Sequence, residues 1–304
     1  MSLILEKKKS VAYITIDNPA KANILDRQTS DEITEAWREV WEDRNIRAII
    51  LTGSGDKYFC AGHNLAPPPN VTEEERQRMR SESVFWPLSG TVNGARIGAS
   101  GNLGDHYPQI NKPVIGAING WAAGAGFYLM LTSTDIRIAS RENARFKFAL
   151  TSQGWVGSGP GATYFPRQIS YSDAMKILLT DEPFDAEEAL RINLINEVVP
   201  HDKLMERAEE VASQIANKPP IALRMMKEFV TRFRETPITE AWRVQTLMNA
   251  LLTQMTTDGD EGRAAFLEKR EPHFTGGIRT KGDQYPELDD TEWERLMEIR
   301  KTIE

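Results

Sequence analysis

Short apolar runs alternate with segments of helical spacing along the first two thirds of the chain. Four runs have the β-branched and apolar texture of buried strands: residues 11–16, 48–52, 113–119 and 135–139. Between the first two runs, residues from about 26 to 44 carry apolar side chains at helical spacing, and Asp26 is the predicted N-cap. Strands that alternate with helices in this way predict an α/β core.

The pattern then changes twice along the chain. Residues from about 66 to 111 are long and irregular, which is typical of a lid or binding loop inserted into a compact domain. Beyond residue 200 the spacing is helical, and the last thirty residues are polar. The pattern predicts a core over residues 1–200 with an insertion at about 66–111, a helical region over 201–274 and a polar tail over 275–304.

Composition and charge narrow the kinds of partner and function that the chain can have. A net charge of -7 lacks the basic footprint of a nucleic-acid binder, and no stretch approaches the length of a membrane span. The single cysteine, Cys60, rules out a disulfide within the chain and fits a reducing compartment. No His, Cys and carboxylate cluster has metal-ligand spacing. We therefore expect a cytoplasmic protein with no metal, no nucleic-acid partner and no membrane partner.

Two segments rich in small residues carry the chemistry. Residues 59–65 and 119–128 each follow a predicted strand, and residues 120–131 predict a helix entered through a tight turn. The amides of a helix N-terminus are unpaired and electropositive, so two such turns facing one pocket would form an oxyanion hole. Each segment alone is more often a tightly packed turn. The pair Gly124 and Gly126 is not a dinucleotide fingerprint, because Leu129 occupies the third glycine position.

These segments belong to an ordered series of motifs. The others are at residues 18–25, 112–120, 135–139, 174–180, 186–199 and 261–270. From about residue 3 to residue 274 the chain resembles the crotonase (enoyl-CoA hydratase/isomerase) superfamily. The resemblance implies a crotonase-like spiral of repeated ββα units with a C-terminal helical trimerisation region. It also implies a homotrimer or a dimer of trimers.

The resemblance further implies a set of site residues. The oxyanion amides would be those of His63 and Ala125. Coenzyme A would enter as part of the thioester substrate, and no prosthetic group is implied. The residues expected along the coenzyme A path are Lys21, Ala22, Ile24, Ala61, Asn64 and Leu65. Lys21 is the expected phosphate partner through charge attraction, although a solvated turn lysine is an equally good interpretation.

The chain departs from the family pattern at the catalytic acids. Where a typical hydratase carries its two glutamates, this sequence has Tyr128 and Leu150. Tyr128 is the third catalytic candidate, as a proton or hydrogen-bond donor, since a phenol with a pKa of about 10 is a poor base. The other groups expected near the site are Ser152, Ser158 and, from the insertion, Asp105 or His106.

We therefore expect an acyl-CoA-processing enzyme of the enoyl-CoA hydratase/isomerase family, atypical because both glutamates are replaced. Hydration, isomerisation, hydrolysis and decarboxylation all stay open, and the last two require less from a carboxylate pair. Two alternatives stand beside this hypothesis. One is a β-diketone C–C hydrolase on the same fold that does not use coenzyme A, and the other is a catalytically silent acyl-CoA binder.

Overall fold

The structure is a computed structural model that describes residues 2–65, 71–85, 95–98, 101–104, 110–156, 161–279, 294, 295 and 298. The chain divides into two compact units, residues 1–218 and 219–304. The strands are β1 (Leu3–Lys8), β2 (Val11–Ile16), β3 (Ala48–Gly53), β4 (Tyr58–Cys60), β5 (Ala95–Gly98), β6 (Gly101–Gly104), β7 (Val114–Ile118), β8 (Trp121–Ala123), β9 (Ile136–Ser140), β10 (Arg145–Lys147), β11 (Phe184–Asp185) and β12 (Glu197–Val199). The helices are α1 (Arg27–Glu42), α2 (Glu73–Phe85), α3 (Ala125–Ser133), α4 (Gly161–Tyr164), α5 (Tyr171–Thr180), α6 (Ala186–Arg191), α7 (Leu204–Ala216), α8 (Pro220–Phe233), α9 (Ile238–Met255) and α10 (Asp258–Glu268).

The first unit is a spiral built around two sheets. The larger sheet has the strand order β1-β2-β3-β7-β9-β12, and the smaller has the order β11-β10-β8-β4. Successive strands go alternately to the two sheets: β3 then β4, β7 then β8, β9 then β10. The neighbours β2–β3, β3–β7, β7–β9 and β9–β12 in the larger sheet are parallel, as are β4–β8 and β8–β10 in the smaller. This confirms the predicted α/β fold with repeated ββα units.

The central strand β3 separates two apolar cores. Because side chains alternate across a strand, Ile49 and Leu51 point into the core between the sheets, where they meet helix α1. Ala48 and Ile50 point the other way, onto helix α7. All four side chains are fully buried. A continuous apolar run, rather than an alternating one, is what a strand covered on both faces requires.

Helix α1 forms where the sequence predicts it. Asp26 caps it by accepting a 2.9 Å hydrogen bond from the Thr29 amide, which confirms the predicted N-cap. The buried face of the helix is the predicted apolar stripe, which includes Ile33, Trp37 and Val40. Its polar face is exposed, so burial of the stripe against the sheets fixes the helix.

The segment 120–131, predicted to be a helix entered through a tight turn, begins instead with a strand. Residues Trp121–Ala123 form strand β8, and the helix starts at Ala125. A three-residue strand is too short to show a period of two, and its small residues resemble a helix start. Strand β8 exists because its neighbours β4 and β10 supply the backbone hydrogen bonds, which only the tertiary structure provides.

The second unit contains helices α8, α9 and α10. The predicted helices 221–234 and 238–255 correspond to α8 and α9, which contain no fully buried residue. Large apolar side chains stand exposed on both, among them Met226, Trp242, Leu247 and Leu251. Most of the predicted polar tail lies outside the described residues. None of the helices in the described part of the chain is long and apolar enough to cross a membrane.

A buried arginine holds the carboxyl end of helix α3. The Arg137 guanidinium donates to the Leu131 carbonyl at 2.9 Å, to the Thr134 carbonyl at 3.2 Å and to the Thr134 hydroxyl at 2.9 Å. It also donates to the carbonyl of Leu194 at 2.8 Å, in the segment before β12. Burial lowers the pKa of Arg137 to about 10, so the side chain stays charged at neutral pH. A cation at this position satisfies the last carbonyls and opposes the negative end of the helix dipole.

Replacing Arg137 with methionine is expected to lower the free energy of unfolding by about 3 kcal/mol, because buried carbonyls lose a charged donor. Urea unfolding measures this change. The matched control is Arg141→Met, since Arg141 is half exposed and pairs with Glu187 on the surface. That substitution should change stability by less than about 0.5 kcal/mol. Equal effects of the two substitutions would contradict the role assigned to Arg137.

Candidate active site

A cleft of about 630 Å³ opens at the carboxyl ends of β4, β8 and β10. Because these neighbouring strands are parallel, their carboxyl ends meet at one edge of the smaller sheet. The described residues that line the cleft are Ala61, Gly62, His63, Leu65, Gly124, Ala125, Tyr128, Ala149, Leu150, Gln153, Gly154, Trp155 and Val156. Both small-residue motifs of the sequence therefore meet in one pocket.

The two motifs approach more closely than any side chain would allow. A β-carbon on Gly62 would lie 2.8 Å from the carbonyl oxygen of Ala123 and 3.0 Å from the amide nitrogen of Ala125. Gly62 also has a φ of +98°, which L side chains rarely adopt. One residue into helix α3, a β-carbon on Gly126 would collide with the carbonyl of Cys60. Glycine at both positions brings the two turns together.

Hydrogen bonds to Leu25 orient the peptide of His63. Leu25 and His63 form a parallel bridge, in which the Leu25 amide donates to the Gly62 carbonyl at 2.8 Å and the Asn64 amide donates to the Leu25 carbonyl at 3.2 Å. In this pattern the bridging residue His63 turns its own amide to the opposite side. Ala125 is the first residue of helix α3, so no carbonyl of that helix accepts its amide proton.

Two buried asparagines hold the turn that precedes β4. Asn23 donates to the carbonyls of Ser54 and Tyr58, at 3.0 and 2.8 Å. Asn119 donates to the carbonyls of Gly55 and Tyr58, at 2.6 and 3.1 Å, and accepts from the Gly53 amide. The sequence analysis did not assign these roles. Their presence inside the motifs 18–25 and 112–120 is the signal that could have revealed them.

The residues expected along the coenzyme A path lie on two segments joined by hydrogen bonds. The Ala61 amide donates to the Ala22 carbonyl at 3.1 Å, and the bridge at Leu25 extends this pairing. Ala61 and Leu65 line the cleft. Lys21, Ala22 and Ile24 lie on the segment that pairs with residues 61–64, and Asn64 precedes Leu65 in the chain. These four residues are not in the described lining. The Lys21 side chain is exposed.

Tyr128 and Leu150, the two positions where the resemblance predicts glutamates, both line this cleft. Tyr128 follows Ala125 by three residues on helix α3, so the two share a helix face. Leu150 follows β10, and only 8% of its surface is exposed. Among the described residues of the lining there is no aspartate or glutamate. Within this part of the chain, the titratable side chains facing the cleft are His63 and Tyr128.

A buried carboxylate that the sequence analysis missed anchors the Leu150 segment. Asp181, at the end of helix α5, accepts from the Ala149 amide at 2.6 Å. It also accepts from the Ser152 amide and hydroxyl, at 2.9 and 2.7 Å. Burial disfavours its charge, but the hydrogen bonds from Ser152 and Ala149 outweigh that effect and lower the pKa of Asp181. Because these partners are about thirty residues apart in the chain, no local pattern reveals the contact.

Of the four remaining candidate groups, the structure describes only Ser152. Ser152 donates its hydroxyl to Asp181, which gives it a structural partner beside the cleft. Ser158, Asp105 and His106 lie outside the described residues. No group of three or more His, Cys, Asp or Glu side chains in the described part of the chain is arranged to hold a metal ion.

Asp181→Asn is expected to destabilise the protein by about 2 kcal/mol at pH 7, because one amide NH₂ group would face donors. The native pKa of Asp181 is below the ordinary value of 3.8, so its stabilisation is fully present above that value. It is lost as the pH falls through the lower native pKa. Urea unfolding of both proteins between pH 7 and pH 3 tests this. A difference that stays constant down to pH 3 would contradict the assignment.

Comparison with known proteins shows which family the chain belongs to. The profile of the enoyl-CoA hydratase/isomerase family matches residues 6–277. The chain is 33% identical to the (E)-benzylidenesuccinyl-CoA hydratase of Thauera aromatica, over 91% of this chain and 100% of that one. It is 34% identical to the carnitinyl-CoA dehydratase of Proteus mirabilis, over 90% and 98%. The crystal structure of an enoyl-CoA hydratase from Bacillus anthracis superposes with a TM-score of 0.76 and 29% identity, over 91% and 100%. The chain belongs to the enoyl-CoA hydratase/isomerase family, as its ordered motifs indicate, and is an acyl-CoA-processing enzyme of that family.

Proposed function

We propose that the cleft binds an acyl-CoA thioester with its carbonyl oxygen between the amides of His63 and Ala125. Negative charge that develops on this oxygen, as an enolate or a tetrahedral adduct, would meet two preset donors. The proposal rests on the close approach of the two turns at Gly62, where a β-carbon would lie 3.0 Å from the Ala125 amide nitrogen. The positive end of helix α3 adds to the stabilisation.

The coenzyme A portion would follow the paired segments 21–25 and 61–65. Backbone hydrogen bonds join these segments, so they form a preset edge beside the cleft. The exposed Lys21 is the side chain proposed to attract a phosphate. The neighbouring Ala22 and Ile24 and the lining residues Ala61 and Leu65 would contact the uncharged parts of the cofactor. Asn64 is the remaining residue proposed to lie along the coenzyme A path.

The acyl group would occupy the apolar part of the cleft. Leu65, Trp155 and Val156 are 65%, 50% and 76% exposed and line the same cleft, so together they present an apolar surface that a ligand could cover. Leu150 forms a buried apolar wall in place of a carboxylate. These side chains favour an acyl group with a bulky apolar part.

Two observations bear on which type of reaction the protein catalyses. The relatives named as a hydratase and a dehydratase favour addition or removal of water. The absence of a carboxylate among the described lining residues favours hydrolysis or decarboxylation, which need no pair of glutamates. Both groups of reactions use the same oxyanion stabilisation. Tyr128 would act as a donor, while His63 would act through its backbone amide.

Incubation with enoyl-, 3-oxo- and aryl-CoA thioesters, read by mass spectrometry, identifies the reaction. A gain of water, a released coenzyme A or a lost carbon dioxide each corresponds to one outcome. Tight binding of coenzyme A esters without turnover would instead favour a silent acyl-CoA binder. Turnover of a β-diketone with no binding of coenzyme A esters would favour the C–C hydrolase.

Ala125→Pro is expected to lower kcat/KM about a hundredfold or more, because proline removes the amide donor at a helix position that tolerates it. The matched control is Ala125→Ser, which keeps the amide and should keep most of the activity. His63→Ala keeps its amide as well, so it should also stay active. An Ala125→Pro variant that folds, by circular dichroism, and retains full activity would exclude the oxyanion assignment.

We also propose that the chain assembles as a homotrimer or as a dimer of trimers through its helical region. The exposed Trp242, Leu247 and Leu251 on α9, with Met226 on α8, support this assembly, because isolated chains would leave this surface in water. A second copy of the same chain would bury it.

Light scattering coupled to gel filtration should give three or six times the chain mass. The double variant Leu247→Glu and Leu251→Glu places charges on the apolar face and should shift the protein toward monomer. Gln245→Glu, on the same helix, is the control and should leave the mass unchanged. A monomeric wild-type protein would contradict the proposed assembly.

A further inference from the structure

A second cavity, of about 500 Å³, lies at the amino ends of β8 and β10. Its described lining includes the first residue of each strand, Trp121 and Arg145. The cleft lies at the carboxyl ends of the same two strands, and the described linings of the cleft and the cavity have no residue in common. A cavity of this volume is large enough for a small organic molecule.

Aromatic and charged side chains lie next to each other in this cavity. Trp121, Arg145 and Asp185 are paired across β8, β10 and β11, so their side chains lie in a row on one face of the smaller sheet. Phe184 also lines the cavity, and its ring is held by stacking on Phe146 at 5.4 Å between centroids. Trp121, Phe184 and Arg145 are all partly buried. The cavity therefore presents two aromatic side chains beside a guanidinium group.

The guanidinium of Arg145 keeps most of its hydrogen-bonding capacity. Among the described residues it has one partner, the carbonyl of Ala144, which accepts from Nη1 at 2.7 Å. Its Nε–H and Nη2–H groups form the edge through which arginine binds a carboxylate side-on, with two parallel hydrogen bonds. Within the described part of the chain no carboxylate occupies that edge.

Two of the acids that line the cavity already have partners. Glu188 accepts from the Arg191 guanidinium at 2.6 and 2.8 Å. Asp185 caps helix α6 by accepting from the Glu188 amide at 2.9 Å. The third acid, Glu182, is exposed to solvent. The charge that is available to a ligand in the cavity is therefore the positive charge of Arg145, and an anion is the favoured occupant.

We propose that this cavity is a second ligand site that binds a small aromatic carboxylate. The carboxylate accepts two parallel hydrogen bonds from Nε and Nη2 of Arg145, and the flat ring packs on Trp121 and Phe184. Lys176, which also lines the cavity, adds a second positive charge. The site does not depend on the function proposed for the cleft. Because the cavity and the cleft lie at opposite ends of β8 and β10, both can be occupied at the same time.

Isothermal titration calorimetry with sodium 2-naphthoate and with 2-naphthylmethylamine, a cation of similar shape, tests the proposal. Wild-type protein should bind the acid at least about tenfold more tightly than the amine, and Arg145→Gln should weaken binding of the acid by about tenfold or more, the effect of losing hydrogen bonds to a charged group. Arg141→Gln is the control, since Arg141 is half exposed, pairs with Glu187 and does not line the cavity. It should leave the affinity for 2-naphthoate unchanged.

A second titration separates the cavity from the cleft. Saturating butyryl-CoA should leave the affinity for 2-naphthoate unchanged, whereas displacement of the acid would place it in the cleft and overturn the proposal. Absence of binding, equal affinity for the acid and the amine, or equal effects of the two arginine substitutions would overturn it as well. Circular dichroism checks that Arg145→Gln folds. If it does not, the preference of the wild-type protein for the acid, measured with butyryl-CoA present, decides the question.

Discussion

The site depends on the close approach of two backbone turns, one after β4 and one at the start of α3. Gly62 and Gly126 permit this approach, because a side chain at either position would meet the opposite backbone. The buried Asn23 and Asn119 then hold the turn before β4 by pairing with its carbonyls. Donors fixed in this way need no reorganisation when charge develops on a bound oxygen. In the proposed oxyanion hole the fold would supply its chemistry through backbone groups, so the side chains around them could vary.

The proposed oxyanion hole would not depend on the two glutamates that the family resemblance leads us to expect. The backbone sets the positions of the His63 and Ala125 amides. The side chains alone, here Tyr128 and Leu150, set the chemistry at positions 128 and 150. A phenol and an aliphatic chain at these two positions are compatible with the backbone arrangement of the cleft. The described lining contains no carboxylate, and Asp181 lies outside it, where it accepts hydrogen bonds from Ser152. Asp181 then serves the site indirectly, by holding the segment that carries Leu150.

Tertiary contacts also fix parts of the first unit away from the cleft. Arg137 ties the carboxyl end of α3 to the segment before β12, so both ends of that helix are fixed by tertiary contacts. Helices α8 and α9 of the second unit differ, since their apolar side chains lack the burial that α1 and α7 obtain against the sheets. A surface of this kind is stable in water when another chain covers it. Assembly would thus complete the burial that these two helices lack.

The sequence by itself determined the strands β2, β3, β7 and β9, helix α1 with its Asp26 cap, and helices α8 and α9. These follow from local periodicity and capping, which act over a few residues. It also identified the two motifs of the cleft, because glycine and small residues mark a close backbone approach wherever it occurs. The tertiary structure alone decided strand β8, the anchoring of residues 149–152 by Asp181, and the burial of Tyr128. Each of these depends on groups far apart in the chain. Their hydrogen bonds and burial are fixed only when the spiral brings the segments together, so no local pattern contains them.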